Sequence, residues 1–102
     1  MYERPDLLSA EETEARLVQL PGWSVEDGRL TRSYTFDQHL QAAAMVIHVA
    51  QIQQELDHHS DLTLGYHSLV LAVNTHSVGG LTELDFRLAH RVETIAPGHG
   101  AR

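Results

Sequence analysis

Apolar positions along the chain change period several times, and each change predicts an element. Ser9-Ala10-Glu11-Glu12 has the Ser-x-x-Glu form of a capping box, which satisfies the N–H groups a first helical turn leaves free. A first helix is predicted from there through Ala15, Leu17, Val18 and Leu20, with Pro21-Gly22 as its stop. Trp23-Ser24-Val25-Glu26 and Arg29-Leu30-Thr31-Arg32-Ser33-Tyr34 alternate, as half-buried strands do, around Asp27-Gly28, two residues that tolerate the positive φ of a tight hairpin turn. Asp37 is placed to cap a second helix over roughly residues 38–56, in which Leu40, Ala43, Ala44, Ile47 and Ile52 recur at helical spacing.

The second half repeats this order. Asp61 to Leu64 reads as a short strand, and Ser68 to Thr75 as a longer one rich in branched side chains. Gly79-Gly80 is a flexible turn, Thr82-Glu83-Leu84-Asp85 resembles a second capping arrangement, and Leu84, Leu88, Val92 and Ile95 mark one face of a third helix that ends near Ala96-Pro97-Gly98. Residues 1–8 read as a short arm and His99 to Arg102 as a tail expected to fray, so both termini are taken as flexible. The predicted class is α+β in the order α-β-β-α-β-β-α: a four-stranded antiparallel sheet with three helices on one face. One domain, residues 1–102 with a core at about 7–96, covers the chain.

Composition narrows the function. Fourteen acidic residues stand against seven basic ones, all of the latter Arg, for a net charge of −7. Phosphate binding needs clustered cations, so direct nucleic acid binding is not expected. The absence of Cys removes thiolate metal sites, Fe–S clusters and cysteine nucleophiles. No run approaches the ~18 apolar residues of a membrane span and the start lacks a signal-peptide pattern, so neither a membrane nor secretion is expected, and the location read is cytoplasmic.

Eight His in 102 residues point to proton chemistry or metal binding. His58 and His59 follow Asp57 where the second helix should stop, at the end whose dipole favours positive charge. His76 lies in a strand-to-helix loop beside Asn74, Thr75 and Ser77, a place where backbone groups stay open to a ligand. Three imidazoles on two element ends, with Asp57 and Asp85 available to orient them, suit general acid–base work on a small molecule. Plainer readings compete: a solvated His pair at a helix end, Asp85 as a helix-start residue, and Tyr66 and Trp23 as core or rim aromatics. His39, His48, His67, His90 and His99 are read as solvated or packing residues. A three-His zinc site is disfavoured, because adjacent helical residues diverge by about 100° and the i, i+4 spacing of zincins is absent. No Gly-x-Ser-x-Gly and no Gly-rich phosphate loop occurs.

Asp57-His58-His59-Ser60, Tyr66 after five further residues, Thr75-His76 with nine residues between Tyr66 and His76, and Gly80-Leu81-Thr82 followed by Asp85 resemble the signature of the pterin-4a-carbinolamine dehydratase family. Gly22-Trp23, Leu30-Thr31-Arg32, Tyr34-Thr35-Phe36 and the helix before His58 extend the resemblance over about residues 7–96. It implies a dehydratase that converts 4a-hydroxytetrahydropterin, the product of aromatic amino acid hydroxylases, to quinonoid dihydropterin, in support of tetrahydrobiopterin recycling. Neither metal nor redox cofactor is implied, since pterin is the substrate. By position, His58 and His76 become the expected acid and base and His59 a binding and polarising residue. Gln54, Asp57, Asn74, Thr75, Ser77 and Asp85 become the expected lining of the pterin site, with Asp85 orienting a histidine. The resemblance also implies a homodimer or homotetramer, and some similar proteins act as dimerisation or assembly partners. A member that kept the fold as a pterin-binding or assembly module is therefore the alternative to an enzyme.

Two positions depart from the pattern. Gln54 stands where the family usually has Glu or another charged residue, with Glu55 beside it, and Ser60 replaces a commoner Pro. Ser60 restores an N–H and widens the accessible φ, which is expected to loosen the turn after His59.

Overall fold

The computed structural model describes residues 6–102. Residues 1–5 of the expected N-terminal arm lie outside the described part. The elements run α1 (Ala10–Leu17), β1 (Trp23–Glu26), β2 (Arg29–Thr35), α2 (His39–Leu56), β3 (Asp61–Leu64), β4 (Ser68–Val73) and α3 (Glu83–Ile95), with single 3₁₀ turns at His76–Val78 and Pro97–His99. This is the predicted order.

The capping box at Ser9 forms as expected, with Glu12 N–H on Ser9 Oγ and Ser9 N–H on Glu12 Oε1. The helix stops at Leu17, earlier than Leu20. Pro21 disfavours helical backbone at the residue before it, and the chain tightens through Gln19 N–H to Arg16 O and Leu20 N–H to Leu17 O, which turns Leu20 into the core. Asp27 (φ 53°) and Gly28 (φ 75°) take the left-handed conformation that closes the first hairpin.

The cap of α2 differs from expectation. Gln38, not Asp37, is the N-cap residue, and its N–H donates to Gln41 Oε1 at 3.0 Å. Asp37 instead binds the Arg102 guanidinium at 2.8 Å, and that hydrogen bond holds its carboxyl below the usual range.

The sheet is antiparallel throughout, in the order β1-β2-β4-β3. Leu30 and Tyr34 of β2 and Leu69, Leu71 and Val73 of β4 point to one face, where α2 and α3 cover them with Met45, Val49, Ile52, Phe86, Leu88 and Val92. Burying each such side chain stabilises the fold by about 1.5–3 kcal/mol. The buried stripe of α2 is therefore Ala42, Met45, Val49 and Ile52. Of the predicted stripe only Ile52 is in it; Leu40 and Ile47 are 75% and 74% exposed. The helix is apolar on both sides, so periodicity fits two phases, and packing selects the one that presents Met45 and Val49 to the sheet.

Glu93 of α3 ties the first hairpin to this layer. Its Oε1 accepts from Trp23 Nε1 at 2.6 Å, Tyr34 Oη at 2.7 Å and Arg32 Nε at 3.2 Å.

The C-terminal tail is docked rather than frayed. Thr35 and Arg102 exchange backbone N–H to O bonds in both directions, Ala101 packs against the core, and His99 meets His48 of α2 with Nε2 and Nδ1 2.8 Å apart. One ring nitrogen of that pair must donate and the other accept, so a second proton breaks the bond. Burial and the nearby His48 both lower the His99 pKa below 6.5. Glu55, which also faces His48, is committed to Arg91. A His whose pKa is depressed by folding contributes stability that is present above its unfolded value and is lost as pH falls through the folded one. The protection of the Thr35 and Arg102 amides, corrected for the intrinsic exchange rate at each pH, is thus expected to fall between pH 7 and 5, and His99→Gln to flatten that dependence; protection that ignores pH in the wild type would contradict it. Among the described residues, no helix is long and apolar enough to cross a membrane.

Candidate active site

The end of α2 aims the two signature histidines differently. Asp57 adopts the left-handed conformation at φ 50°, ψ 44°, and the His58 N–H reaches back to Gln53 O at 3.0 Å. This closing bond runs five residues back and turns the chain sharply out of the helix. Asp is among the non-Gly residues that best tolerate that conformation. His58 is turned inward and buried, while His59 stays exposed.

His58 is turned onto Asp85. Its Nε2 lies 2.6 Å from Asp85 Oδ1, and Asp85, the third residue of α3, is 0% exposed. The other carboxylate oxygen, Oδ2, accepts from the Thr82 backbone N–H and from Thr75 Oγ1, each at 2.9 Å. Asp85 is therefore a helix-start residue and a histidine partner at once, so the two readings coexist.

The hydroxyl protons around it can be placed by counting. The Asp85 carboxylate can only accept, so Thr75 gives its proton to Asp85 and Thr82 must give its own to Thr75 Oγ1 at 2.7 Å, while accepting from Leu84 N–H. The carboxylate accepts on both oxygens, which leaves His58 Nε2 as a donor. His58 makes this one side-chain hydrogen bond, and no buried polar side-chain atom among the described residues lacks a partner. Its Nδ1 accordingly opens to solvent and is the nitrogen able to meet a ligand.

Thr75 carries the connection to the third histidine. Its backbone N–H bonds Gly80 O at 2.8 Å and its carbonyl accepts from Val78 and Gly79, closing the loop in which His76 begins the 3₁₀ turn. His76 and Ser77 are exposed and Asn74 is half-buried. The structure thus joins His58, Asp85 and Thr75 in one network, with Asn74, His76 and Ser77 as chain neighbours of its Thr75 arm. Asp57, His59 and Gln54 are exposed at the end of α2, outside this hydrogen-bond network.

Two contributors were not legible as site residues. Thr82 reads in the sequence as a cap and as part of the family signature, but not as a lining residue. Gln53, next to the expected Gln54, is the buried one, 6% exposed, and its side-chain Oε1 accepts from the Ser60 N–H and from the Ser60 hydroxyl. The signal was helical phase, since Gln53 follows Val49 by four residues on the buried stripe. The turn after His59 is consequently held, where loosening was expected: Ser60 uses the N–H that a Pro would lack.

Tyr66 stands apart from this network. It is exposed in the turn between β3 and β4, its ring 4.3 Å from that of His67 and 5.8 Å from that of His39, and the six-residue β4 (roughly 20 Å) separates it from Thr75. Trp23 is a core residue. A cleft of about 600 Å³ between α1 and the first hairpin, lined by Leu7, Leu17, Trp23, Val25 and Leu81, touches the His76 loop only through Gly79 and Gly80. Among the described residues, no three His, Asp or Glu side chains converge as a metal cage would require.

Residues 6–95 match the family described as pterin 4 alpha carbinolamine dehydratase. Relatives bearing that family's name include one from Streptomyces avermitilis, 65% identical over 92% of this chain and 94% of its own, and one from Streptomyces coelicolor, 66% identical over the same shares. A crystal structure described as a transcriptional coactivator/pterin dehydratase from Brucella melitensis superposes with a TM-score of 0.84 at 33% identity, over 89% of this chain and 99% of that one. A pterin dehydratase-like RuBisCO assembly factor of the alpha-carboxysome shares the fold, at a TM-score of 0.60 and 17% identity over 72% of this chain and 86% of that one. With a match spanning nearly its whole length and His58 of the signature bound to Asp85, the chain belongs to the pterin-4-alpha-carbinolamine dehydratase family.

Proposed function

We propose that the protein is a hydro-lyase that removes water from 4a-hydroxytetrahydropterin by histidine acid–base catalysis. The observation that carries this reading is the buried Asp85 carboxylate, which binds His58 through one oxygen and Thr75, the residue before His76, through the other. A carboxylate behind an imidazole fixes its tautomer and stabilises the imidazolium that forms when the exposed nitrogen takes a proton. In the reaction, the C4a–O bond breaks as one imidazolium gives its proton to the departing hydroxyl, and water leaves. The N5 electron pair forms the C4a=N5 bond, and the N5 proton passes to the second, neutral imidazole or to water. Atoms and electrons balance without an electron acceptor, so the proposal calls for no redox cofactor.

His58 and His76 take the acid and base roles, with His59 binding and polarising the substrate. Asp57, Asn74, Thr75 and Ser77 line the pterin, and Gln54 offers a neutral amide where the family usually carries charge. A homodimer or homotetramer working in the cytoplasm beside an aromatic amino acid hydroxylase completes the reading.

A second reading, a pterin-binding or assembly module, is favoured by the exposed Leu40 and Ile47 of α2, which leave an apolar face open to a partner. Stopped-flow decay of 4a-hydroxytetrahydropterin separates the two. The wild type is expected to accelerate decay, and His76→Ala to lose about 10²-fold in turnover. Loss within twofold would remove His76 from acid–base work, and a wild type that binds dihydropterin without acceleration would leave the module reading standing.

A further inference from the structure

Gln53 holds the His58–His59 turn from both sides. Its backbone carbonyl accepts the His58 N–H at 3.0 Å, and its side-chain Oε1 accepts the Ser60 N–H at 3.0 Å as well as the Ser60 hydroxyl. His59 lies between these two anchors, and Ser60 leads directly into Asp61, the first residue of β3, which is paired with Ala72 of β4. We propose that Gln53 is a positioning residue for His58 and His59, acting through Ser60, and that the two form a matched pair: the Gln53 amide is needed because position 60 presents an N–H that must be bonded.

The proposal rests on the dehydratase reading of the same site, and adds to it which side chain sets the histidine geometry. A buried or half-buried N–H left without an acceptor seeks a new one by moving. In Gln53→Ala the Ser60 N–H and hydroxyl both lose their acceptor, so the turn shifts and takes His59 with it. A substitution that deletes the donor removes the need for the acceptor. Ser60→Pro is such a change, since proline has no N–H and its ring narrows the turn's freedom. The pair is therefore expected to show compensation rather than additivity.

The test uses wild type, Q53A, S60P and Q53A/S60P, read by thermal melting, by kcat and KM for 4a-hydroxytetrahydropterin, and by NMR signals of the His58 and His59 rings. Q53A is expected to lower kcat by about tenfold, as small misplacements of acid–base groups do, and to shift or broaden the His59 ring signals. Q53A/S60P is expected to return to within about twofold of S60P in kcat and to restore sharp His59 signals. A Q53A protein that melts earlier yet keeps its kcat and His59 signals overturns the proposal, as does a double variant whose loss equals the product of the single losses. Should S60P not fold, Q53E decides, since its carboxylate keeps an acceptor for the Ser60 N–H and hydroxyl: His59 ring signals that return toward wild type support the positioning role, and signals shifted as in Q53A refute it. A wild type without dehydratase activity would sink the enzymatic reading alone, and the His59 ring signals of Q53A would still judge the positioning role.

Discussion

Asp85→Asn is expected to lower turnover by about 10³-fold through a change of tautomer at His58. The wild-type carboxylate accepts on both sides: from His58 at Oδ1, and from Thr75 Oγ1 and Thr82 N–H at Oδ2. An asparagine has one accepting oxygen and one donating NH₂. The Thr82 backbone N–H cannot reverse its role, whereas an imidazole can move its proton. The amide oxygen should therefore stay with Thr82, and the NH₂ should face His58 Nε2. That nitrogen must then accept, which sends the neutral ring's proton to Nδ1, the nitrogen that opens to solvent. The site would lose both the correct tautomer and the negative charge that stabilises an imidazolium; the equivalent change in a serine protease triad costs about 10⁴-fold. Stopped-flow turnover together with ¹⁵N shifts of His58 measures both effects. Turnover within threefold of wild type, or a ring that keeps its proton on Nε2, would refute the assignment.

Glu93→Ala is expected to lower stability by about 3 kcal/mol without touching the histidine network. Trp23 Nε1 and Tyr34 Oη share the Glu93 Oε1 acceptor, and both rings are buried, so truncation leaves two donors without a partner and Arg32 without its carboxylate. For a domain near 100 residues this corresponds to a fall in Tm of roughly 12–24 °C. Glu93→Gln keeps an oxygen acceptor and should lose less than half as much. Alkaline pH probes the same cluster. Burial, first, and then the hydrogen bond and charge of Glu93 push the Tyr34 phenol well above its ordinary value. A group raised by folding contributes stability that is complete below its unfolded pKa of about 10 and declines as pH rises beyond it. Unfolding free energy should therefore fall from pH 9 to 11 in the wild type, and Tyr34→Phe should remove part of that slope. A Tm within 4 °C of wild type in Glu93→Ala would show that the cluster is ornamental to stability.

Elements announced by contacts between near neighbours in the chain were legible before any coordinates. The Ser9 and Thr82 caps, the Asp27-Gly28 hairpin and the branched apolar run of β4 depend on residues a few positions apart; the caps and the hairpin appear where expected, and β4 starts at Ser68 as expected but ends at Val73, two residues early. The signature histidines and Asp85 were likewise readable, because the spacing of the family pattern stands in the chain itself.

What was not readable depended on distant partners. Asp37 and Gln38 both offer plausible caps for α2, and the choice fell to Gln38 because Arg102, 65 positions further on, engages Asp37. The tail reads as free in the sequence because the residues that dock it, Thr35 and His48, are far away in the chain. Either of two apolar stripes would satisfy the helical period of α2; burial against β2 and β4 selected Met45 and Val49 and left Leu40 and Ile47 outside. That same rotation put Gln53 inside, where it grips the His58–His59 turn, and left Gln54 exposed. The chain's local chemistry set which elements and which reactive groups exist, since those follow from short-range hydrogen bonding and backbone preference. Which face each element buries, and so which side chains reach the histidines, was settled only when the helices met the sheet, because burial is a property of the packed whole.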